Sequence, residues 1–260
     1  MKEMEEIRKV AEKAAREAGT YILSHIGKRK EITHKDGINN LVTDVDLTSE
    51  RMIIERIKKE FPSHSILAEE SGEDKKDDAF RWVIDPLDGT TNYSHGFPFF
   101  CVSIAVMTAG SIRTGVVYAP SQDEFFTAEE GKGAFLNGDR IKVSDRGSVK
   151  DSLIATGFAY GVQGKIANLR SFEIMLKNAQ AVRRAGSAAM DLCYVACGRF
   201  DGFWEIGLSP WDTAAGQLIV KEAGGRVTTL CGEPFDIFRK RILATNGEIH
   251  KEMIKLLEVE

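Results

Sequence analysis

Residues 82–92 of this 260-residue chain read Trp-Val-Ile-Asp-Pro-Leu-Asp-Gly-Thr-Thr-Asn. The apolar run from Trp82 to Ile84 predicts the end of a buried strand. Asp85 and Asp88 follow it, and Pro86 between them fixes the backbone φ angle. A rigid turn of this kind aims both carboxylates at one point, where they repel each other unless a cation lies between them. Because Mg²⁺ and Mn²⁺ prefer carboxylate oxygens, the stretch predicts a divalent-cation site, although a plain surface turn uses the same residue types.

Two further acidic segments are candidates for the same site. The pair Glu69-Glu70 ends a short apolar run, and an exposed acidic pair is the alternative interpretation there. Asp212 follows Ser209 and Pro210, which are typical of a helix N-cap and of the first helical position. Because an acid in the first turn also stabilises the helix dipole, this segment alone leaves a ligand and a capping residue equally open.

The residues after the two aspartates suit an anionic substrate. Gly89-Thr90-Thr91 offers backbone amides and hydroxyls, and amides at a turn or a helix start bind phosphate. A metal–carboxylate cluster beside such donors fits the hydrolysis of a phosphate ester. The chain carries no P-loop, G-x-G-x-x-G, H-E-x-x-H or G-x-S-x-G motif that would compete with this interpretation.

Composition excludes several classes of protein. With 43% hydrophobic residues the chain can bury a substantial core, and its net charge is −4. No block of five or more basic residues is present, so direct nucleic-acid binding is not expected. The N-terminus lacks an apolar signal region, and the longest apolar stretch, 97–107, is too short to span a bilayer. We therefore expect a cytoplasmic protein without a membrane partner.

Hydrophobic periodicity divides the chain into two halves. Residues 1–146 predict an antiparallel sheet with two helices packed against it, and residues 147–260 predict alternating strands and helices, so we expect two domains with these bounds. Asn137-Gly138 predicts a hairpin turn, and the charged segment 72–78 predicts a loop. The expected helices cover residues 4–26, 48–60, 165–178, 187–197, 209–223 and 247–258.

Five ordered segments resemble the inositol monophosphatase family, within the lithium-sensitive, magnesium-dependent sugar phosphatases. The similarity covers nearly the whole chain. The segments are, in chain order, Leu41-Val42-Thr43-Asp44-Val45-Asp46, Ala68-Glu69-Glu70-Ser71, residues 82–92, Gly186-Ser187-Ala188-Ala189, and Trp211-Asp212-Thr213-Ala214-Ala215-Gly216 with Glu222-Ala223-Gly224-Gly225.

The resemblance implies a role for each matching position. Two or three Mg²⁺ ions, or Mn²⁺ in their place, are expected on Glu69, Asp85, the Leu87 carbonyl, Asp88 and Asp212, with Asp85 bridging two of them. Glu69, Thr90 and Asp46 are the expected catalytic residues. The expected substrate contacts are Gly89, Thr90, Ala188, Glu205, Arg184 and Asp212, and Lys35 is expected near the metal loop.

The resemblance also implies a fold, a reaction and partners. The fold is a layered αβαβα sandwich of mixed α/β (α+β) class, and the reaction is hydrolysis of inositol 1-phosphate and related sugar phosphates by metal-activated water. A homodimer is expected from the family. The alternatives are a fructose-1,6-bisphosphatase, alone or as a second activity, a 3′-nucleotide phosphatase, and a regulator that associates with RNA polymerase.

Overall fold

A computed structural model describes residues 2–28, 32–34, 41–158 and 162–257. Within these ranges the α-helices are α1 Lys2–His25, α2 Asp44–Glu60, α3 Thr90–Ser94, α4 Val162–Asn178, α5 Ala188–Ala196, α6 Pro210–Glu222 and α7 His250–Leu257, and a 3-10 helix covers Val149–Asp151. The strands are β1 Ile32–His34, β2 Leu41–Thr43, β3 His64–Ala68, β4 Gly72–Asp74, β5 Asp77–Asp88, β6 Cys101–Thr108, β7 Ser111–Ala119, β8 Glu124–Glu129, β9 Gly133–Leu136, β10 Asp139–Arg140, β11 Leu153–Thr156, β12 Ala181–Arg183, β13 Gly202–Ile206, β14 Arg226–Thr228 and β15 Arg241–Thr245.

Two large sheets organise the fold. The first has eight strands in the order β10-β9-β8-β7-β6-β5-β3-β4, and only the β3–β5 pair in it is parallel. The second has five strands in the order β12-β11-β13-β15-β14, and β11 pairs in parallel with both of its neighbours. Strands β1 and β2 form a separate antiparallel pair.

The sheets and helices stack in five layers. Helices α1 and α2 pack on one face of the first sheet, and α5 and α6 lie between the two sheets. Helices α4 and α7 cover the outer face of the second sheet. Three apolar cores fill the spaces between these layers. The αβαβα sandwich expected from the sequence is thus confirmed.

The layering explains why the strands near the site are apolar along their whole length. On β5, Trp82 and Ile84 point into the core beneath α1 and α2, while Val83 points into the core that contains α5 and α6. Successive side chains of a strand face opposite sides of its sheet, so a sheet covered on both faces needs apolar residues at every position. The continuous run at 82–84 is therefore a property of a central strand.

The first helix follows the predicted amphipathic pattern. Ile7, Ala11, Ala14, Ala18 and Ile22 are fully or almost fully buried, and they recur at helical spacing. The helix ends within one residue of the predicted end at 26. Among the helices of the described residues, α1 included, none has the length and apolar content needed to cross a membrane.

Three local predictions differ from the structure. The segment 72–78 is not a loop, because β4 covers 72–74 and β5 begins at Asp77. Charged residues are favoured on edge strands such as β4, which explains why no apolar pattern was visible. Helix α2 begins at Asp44 rather than near residue 48, because Thr43 and Asp46 form a capping box. The first sheet is not wholly antiparallel, because β3 and β5 run in parallel.

The predicted hairpin is confirmed by the structure, whereas the predicted domain boundary is not tested by it. Asn137 and Gly138 connect β9 to β10 with positive φ angles of 52° and 90°, so the hairpin prediction is confirmed. The division into 1–146 and 147–260 stays a prediction. Strands of the first sheet end at Arg140 and those of the second begin at Leu153, while α6 from the second half packs on the first sheet.

A buried histidine ties α7 to the second sheet. The Thr228 hydroxyl donates to the Thr229 carbonyl (2.7 Å), so it accepts from His250 Nε2 (2.9 Å). The Thr245 hydroxyl accepts from the Gly247 N–H (3.1 Å) and lies 2.8 Å from His250 Nδ1. Burial, helped by the charge of Arg226, lowers the pKa of His250 to about 4, and in the neutral ring Nδ1 accepts from the Thr245 hydroxyl.

We expect this histidine to make the fold less stable in mild acid. Between pH 6.5 and about 4 the unfolded chain binds a proton that the folded chain excludes, so the free energy of unfolding falls as pH falls. His250→Gln should flatten this dependence by about 1 to 2 kcal/mol between pH 7 and pH 5, measured by urea unfolding at both values. The exposed His95→Gln is the matched control, and equal pH dependence in the two variants would contradict the assignment.

Candidate active site

Parallel pairing of β3 and β5 brings the first two predicted ligands together. Ala68 lies opposite Ile84 in the register of the pair, and the Glu69 N–H donates to the Ile84 carbonyl (3.2 Å). Glu69 directly follows Ala68, and Asp85 directly follows Ile84. Both residues therefore lie at the same end of the parallel β3–β5 pair. The carboxyl ends of neighbouring parallel strands are a usual place for a ligand site.

The turn after Asp85 is held by its own backbone and side chains. The pairing of β5 with β6 is interrupted between Asp85 and Asp88, and the Leu87 N–H donates to Asp85 Oδ1 (3.0 Å). Gly89 then takes a φ of 94°, a conformation that favours glycine, and α3 begins at the next residue. A Cβ atom at Gly89 would also lie 2.9 Å from the Phe99 carbonyl oxygen. The rigid elbow expected from the sequence is therefore present.

Helix α6 brings a third carboxylate to the elbow. One carboxylate oxygen from each of Asp85, Asp88 and Asp212 lies within 4.8 Å of the other two. Glu69 is not one of these three, but it lines the same cleft as Asp88 and Asp212. Asp212 also accepts from the Ser209 N–H (2.6 Å), so the capping role and the place in the carboxylate cluster are both realised.

The electrostatics of the cluster fit a cation. Burial, reinforced by the negative charges of Glu69, Asp88 and Asp212, raises the pKa of Asp85 well above its ordinary value. Burial likewise raises the pKa of Asp212 well above its ordinary value and that of Asp88 to about 6. Packed carboxylates of this kind remain ionised only when positive charge lies among them. Their oxygens are the ligands that hard divalent cations prefer, so the residues present fit a metal.

Asp88 is oriented by the beginning of α5. Its Oδ2 accepts from the Ser187 hydroxyl (2.6 Å) and from the Ala189 N–H (2.7 Å). Free N–H groups at a helix N-terminus stabilise an adjacent negative charge. Ser187 lies in one of the five family-like segments and at the predicted start of a helix, but the sequence assigned it no role, since its partner is 99 residues away.

Thr90 and Asp46 form the second functional pair. The Thr90 hydroxyl lies 2.9 Å from Asp46 Oδ1 and 3.1 Å from the Leu87 carbonyl, and it can donate to either. Asp46 Oδ2 accepts from the Thr43 N–H (3.0 Å) and is hydrogen-bonded to the Thr43 hydroxyl. Burial raises the pKa of Asp46 to about 6, although these hydrogen bonds oppose the shift. The contact between Thr90 and Asp46 matches the pairing that the resemblance implies.

A cleft of about 240 Å³ opens above the carboxylates. Its lining also includes Glu205 and Ala188, both of which are buried, and the exposed Arg184. Burial raises the pKa of Glu205 to about 8, helped by the charge of Asp88. The remaining lining residues are Gly157, Gly186, Ser187, Gly207, Leu208, Ser209 and Trp211.

The structure brings most of the predicted site residues to one place. The predicted residues that line the cleft are Glu69, Asp88, Asp212, Ala188, Glu205 and Arg184. Asp85 joins Asp88 and Asp212 in the carboxylate cluster, Leu87 and Gly89 lie in the elbow, and Thr90 follows the elbow with its hydroxyl on Asp46. Lys35 lies outside the described residues. The individual roles of these residues stay predictions. The layered fold and the cluster of three carboxylates together define the class of metal-dependent phosphatases.

The chain belongs to the inositol monophosphatase family, whose model matches residues 3–259. It is 47% identical to an inositol-1-monophosphatase from Synechocystis sp., over 95% of this chain and 87% of that protein. It is 41% identical to a fructose-1,6-bisphosphatase/inositol-1-monophosphatase from Thermotoga maritima, over 94% and 93%. It is 44% identical to Nus factor SuhB of Haemophilus influenzae, over 94% and 93%.

A solved structure agrees with this assignment. The crystal structure of extragenic suppressor protein suhB from Bartonella henselae matches with a TM-score of 0.93 and 42% identity, covering 97% of this chain and 98% of that one. The resemblance stated from the sequence is confirmed, and the protein is a phosphatase of this family.

Proposed function

We propose that the protein hydrolyses inositol 1-phosphate and related sugar phosphates, with Mg²⁺ as its metal. The observation that carries the proposal is the cluster of Asp85, Asp88 and Asp212 at a cleft that Asp88, Asp212 and Glu205 line together. The carboxylate cluster suits a phosphate bound through cations, and Glu205 suits the hydroxyl groups of a polyol. The relatives named inositol-1-monophosphatase support the same substrate class.

The metal would be held by carboxylate and carbonyl oxygens from three elements. Glu69, Asp85 and the Leu87 carbonyl would hold one ion, Asp85, Asp88 and Asp212 a second, and Glu69 a third and weaker one. Bound there, divalent cations would activate a water nucleophile and offset negative charge on the leaving oxygen. Mn²⁺ has the same preference for oxygen ligands, so it is the expected substitute.

The protein's own groups would orient the substrate and move one proton. The Thr90 hydroxyl, by donating to Asp46, keeps a lone pair available to accept a hydrogen bond from the attacking water. As the water attacks, its proton would pass to the Thr90 hydroxyl oxygen while the Thr90 hydroxyl proton passes to Asp46. The amides of Gly89 and Thr90 would donate to the phosphate, and Asp212, Ala188, Glu205 and Arg184 would contact the rest of the substrate.

A substitution beside Glu205 tests the sugar-binding role. A Cβ atom at Gly157 would lie 2.1 Å from Glu205 Oε2, so Gly157→Ala forces that carboxyl group to move. We expect the KM for inositol 1-phosphate to rise about tenfold, which corresponds to a lost hydrogen bond of about 1.4 kcal/mol. The kcat/KM for p-nitrophenyl phosphate, which has no hydroxyl groups, should change little. An equal loss on both substrates would contradict the role.

The decisive assay is phosphate release with and without Mg²⁺. The panel holds inositol 1-phosphate, fructose 1,6-bisphosphate and adenosine 3′,5′-bisphosphate. Mg²⁺-dependent release that is fastest from inositol 1-phosphate supports the proposal. Faster release from either bisphosphate would replace it with the corresponding alternative. No release from any of the three by folded protein would contradict it.

A regulatory role is the second candidate, because several similar proteins are named Nus factor SuhB or putative Nus factor SuhB. It predicts that RNA polymerase co-purifies with the tagged protein from cell extract, and that an Asp85→Asn variant without activity captures it equally well. Absence of polymerase from the captured material would contradict this role.

Three further properties are proposed from the family alone. They are a homodimer, inhibition by lithium and a cytoplasmic location. Light scattering on the purified protein, a Li⁺ titration of the phosphatase assay and cell fractionation test them in turn.

A further inference from the structure

One face of α2 contacts two turns of the active site and the beginning of α3. Asp46, Ser49 and Glu50 occupy positions i, i+3 and i+4, which lie on the same side of a helix. All three side chains are at least 96% buried, although each is polar or charged. Buried polar side chains are normally hydrogen-bonded. The partners of these three side chains are residues next to the expected metal ligands.

Glu50 holds the turn that follows β3. Its Oε2 accepts from the Glu70 N–H (2.8 Å) and its Oε1 accepts from the Ser71 N–H (2.8 Å). One carboxylate therefore holds two successive amides, each through a charge-assisted bond. Glu69 is the residue immediately before this pair, and its own N–H is bound to the Ile84 carbonyl. The backbone is thus restrained on both sides of the Glu69 side chain.

Ser49 holds the elbow in a similar way. Its hydroxyl donates to the Pro86 carbonyl (2.9 Å), between Asp85 and the Leu87 carbonyl. Pro86 has no N–H of its own to contribute, so this bond from α2 is a direct restraint on the middle of the elbow. Adjacent residues of one helix are therefore attached to the two turns that carry Glu69 and Asp85.

We propose that Glu50, assisted by Ser49, is a positioning residue that sets the distance between Glu69 and the Asp85 elbow and thereby the affinity for the divalent cation. Glu69 lies outside the tight group formed by Asp85, Asp88 and Asp212, so its reach to a shared cation depends on where its turn is held. This inference rests on the proposed function, because it assumes that Glu69 is a metal ligand. Partners that orient metal ligands usually contribute 10- to 100-fold to affinity.

The test measures metal binding without turnover. Free Mn²⁺ is followed by electron paramagnetic resonance while each folded protein is titrated. In Glu50→Gln only one acceptor oxygen remains for the N–H groups of Glu70 and Ser71, because the other oxygen is replaced by an NH₂ group. The turn that carries Glu69 should then be held less firmly, and the variant should bind Mn²⁺ roughly 10- to 100-fold more weakly. Because the ligands themselves are intact, its kcat should recover at saturating metal. Glu55→Gln, on the exposed side of the same helix, should bind like the wild-type protein.

A second substitution distinguishes the hydrogen bonds of Glu50 from its negative charge as the cause of weaker metal binding. Glu50→Asp keeps the negative charge but is too short to hold both amides, so it should also bind Mn²⁺ weakly. Wild-type affinity in Glu50→Asp together with weak binding in Glu50→Gln would assign the effect to charge and overturn the proposal. Unchanged affinity in Glu50→Gln would overturn it as well. Failure of the wild-type protein to bind Mn²⁺ would instead contradict the proposed function.

Ser49→Ala keeps the inference testable if the Glu50 variants do not fold. It removes one neutral hydrogen bond from the same helix face, and circular dichroism establishes that each variant is folded at the temperature of the titration. We expect Mn²⁺ affinity to fall by about five- to tenfold, which corresponds to one hydrogen bond of about 1 kcal/mol. Wild-type affinity in folded Ser49→Ala would show that α2 does not position the metal turns.

Discussion

Asp85→Asn is expected to lower metal-dependent phosphatase activity by about 1000-fold or more while the fold stays intact. Asp85 would bridge both tightly held cations, so a neutral amide at this position weakens the two sites at once. A loss of about 4 kcal/mol of transition-state stabilisation corresponds to that factor. The measurement is kcat/KM for inositol 1-phosphate across a range of Mg²⁺ concentrations.

The same substitution should not destabilise the metal-free protein. The amide oxygen of the new side chain would still accept the Leu87 N–H, and the repulsion among the neighbouring carboxylates would fall. We expect an equal or higher melting temperature without metal, and a smaller increase on adding Mg²⁺ than in the wild-type protein. Asp139→Asn, on an exposed edge strand, is the control. Near-normal Mg²⁺-dependent activity in Asp85→Asn would rule out the bridging role.

Thr90→Ala is expected to lower kcat by about 100-fold or more, with a smaller change in KM. The substitution removes the hydroxyl that connects Asp46 to the position of the attacking water, and proton transfer of this kind contributes about 10²- to 10⁴-fold. The α3 backbone amides remain in place, so substrate binding should survive. The measurement is kcat at saturating Mg²⁺ and saturating inositol 1-phosphate.

Thr90→Ser is the matched control, because it restores the hydroxyl and removes only a methyl group. It should retain most of the wild-type kcat. Metal affinity should be similar in the serine and alanine variants, since Thr90 is not an expected ligand. A Thr90→Ala variant with near-normal kcat would contradict the proton-transfer role and leave Thr90 as a structural partner of Asp46.

Different parts of the site were predictable to different degrees. The elbow at Asp85 and Asp88 was visible in the sequence because proline, glycine and the two carboxylates act within a few residues of one another. Asp212 was ambiguous because the same side chain both caps α6 and joins the cluster. The parallel pairing that places Glu69 beside Asp85 was missed, since strand direction is set by a connection outside the strand itself.

The partners of the expected ligands were the least predictable part. Ser187 orients Asp88, and Glu50 holds the turn after Glu69, across 99 and 20 residues of chain respectively. Their residue types are common in ordinary helices, where most serines and glutamates face solvent. Only their burial and their bonds identify them. The helix face that Glu50 shares with Asp46 was not visible in the sequence either, because the helix was predicted to begin near residue 48, after Asp46.

The sequence by itself determined the local chemistry of this protein. It specified the apolar strand before the elbow, the hydroxyl and amide groups after it, the hairpin at residues 137–138 and the start of α6 at Ser209 and Pro210. These features depend on interactions among neighbouring residues. The resemblance to the inositol monophosphatase family then supplied the expected layered fold.

The tertiary structure decided how these pieces meet. Packing of α5 and α6 between the two sheets brings Asp212 and the N-terminus of α5 to the Asp85 elbow. The same packing places α2 against the two turns that carry Glu69 and Asp85. Such contacts join residues far apart in the chain, and their geometry follows from burying three apolar cores at once, so no local sequence pattern specifies it.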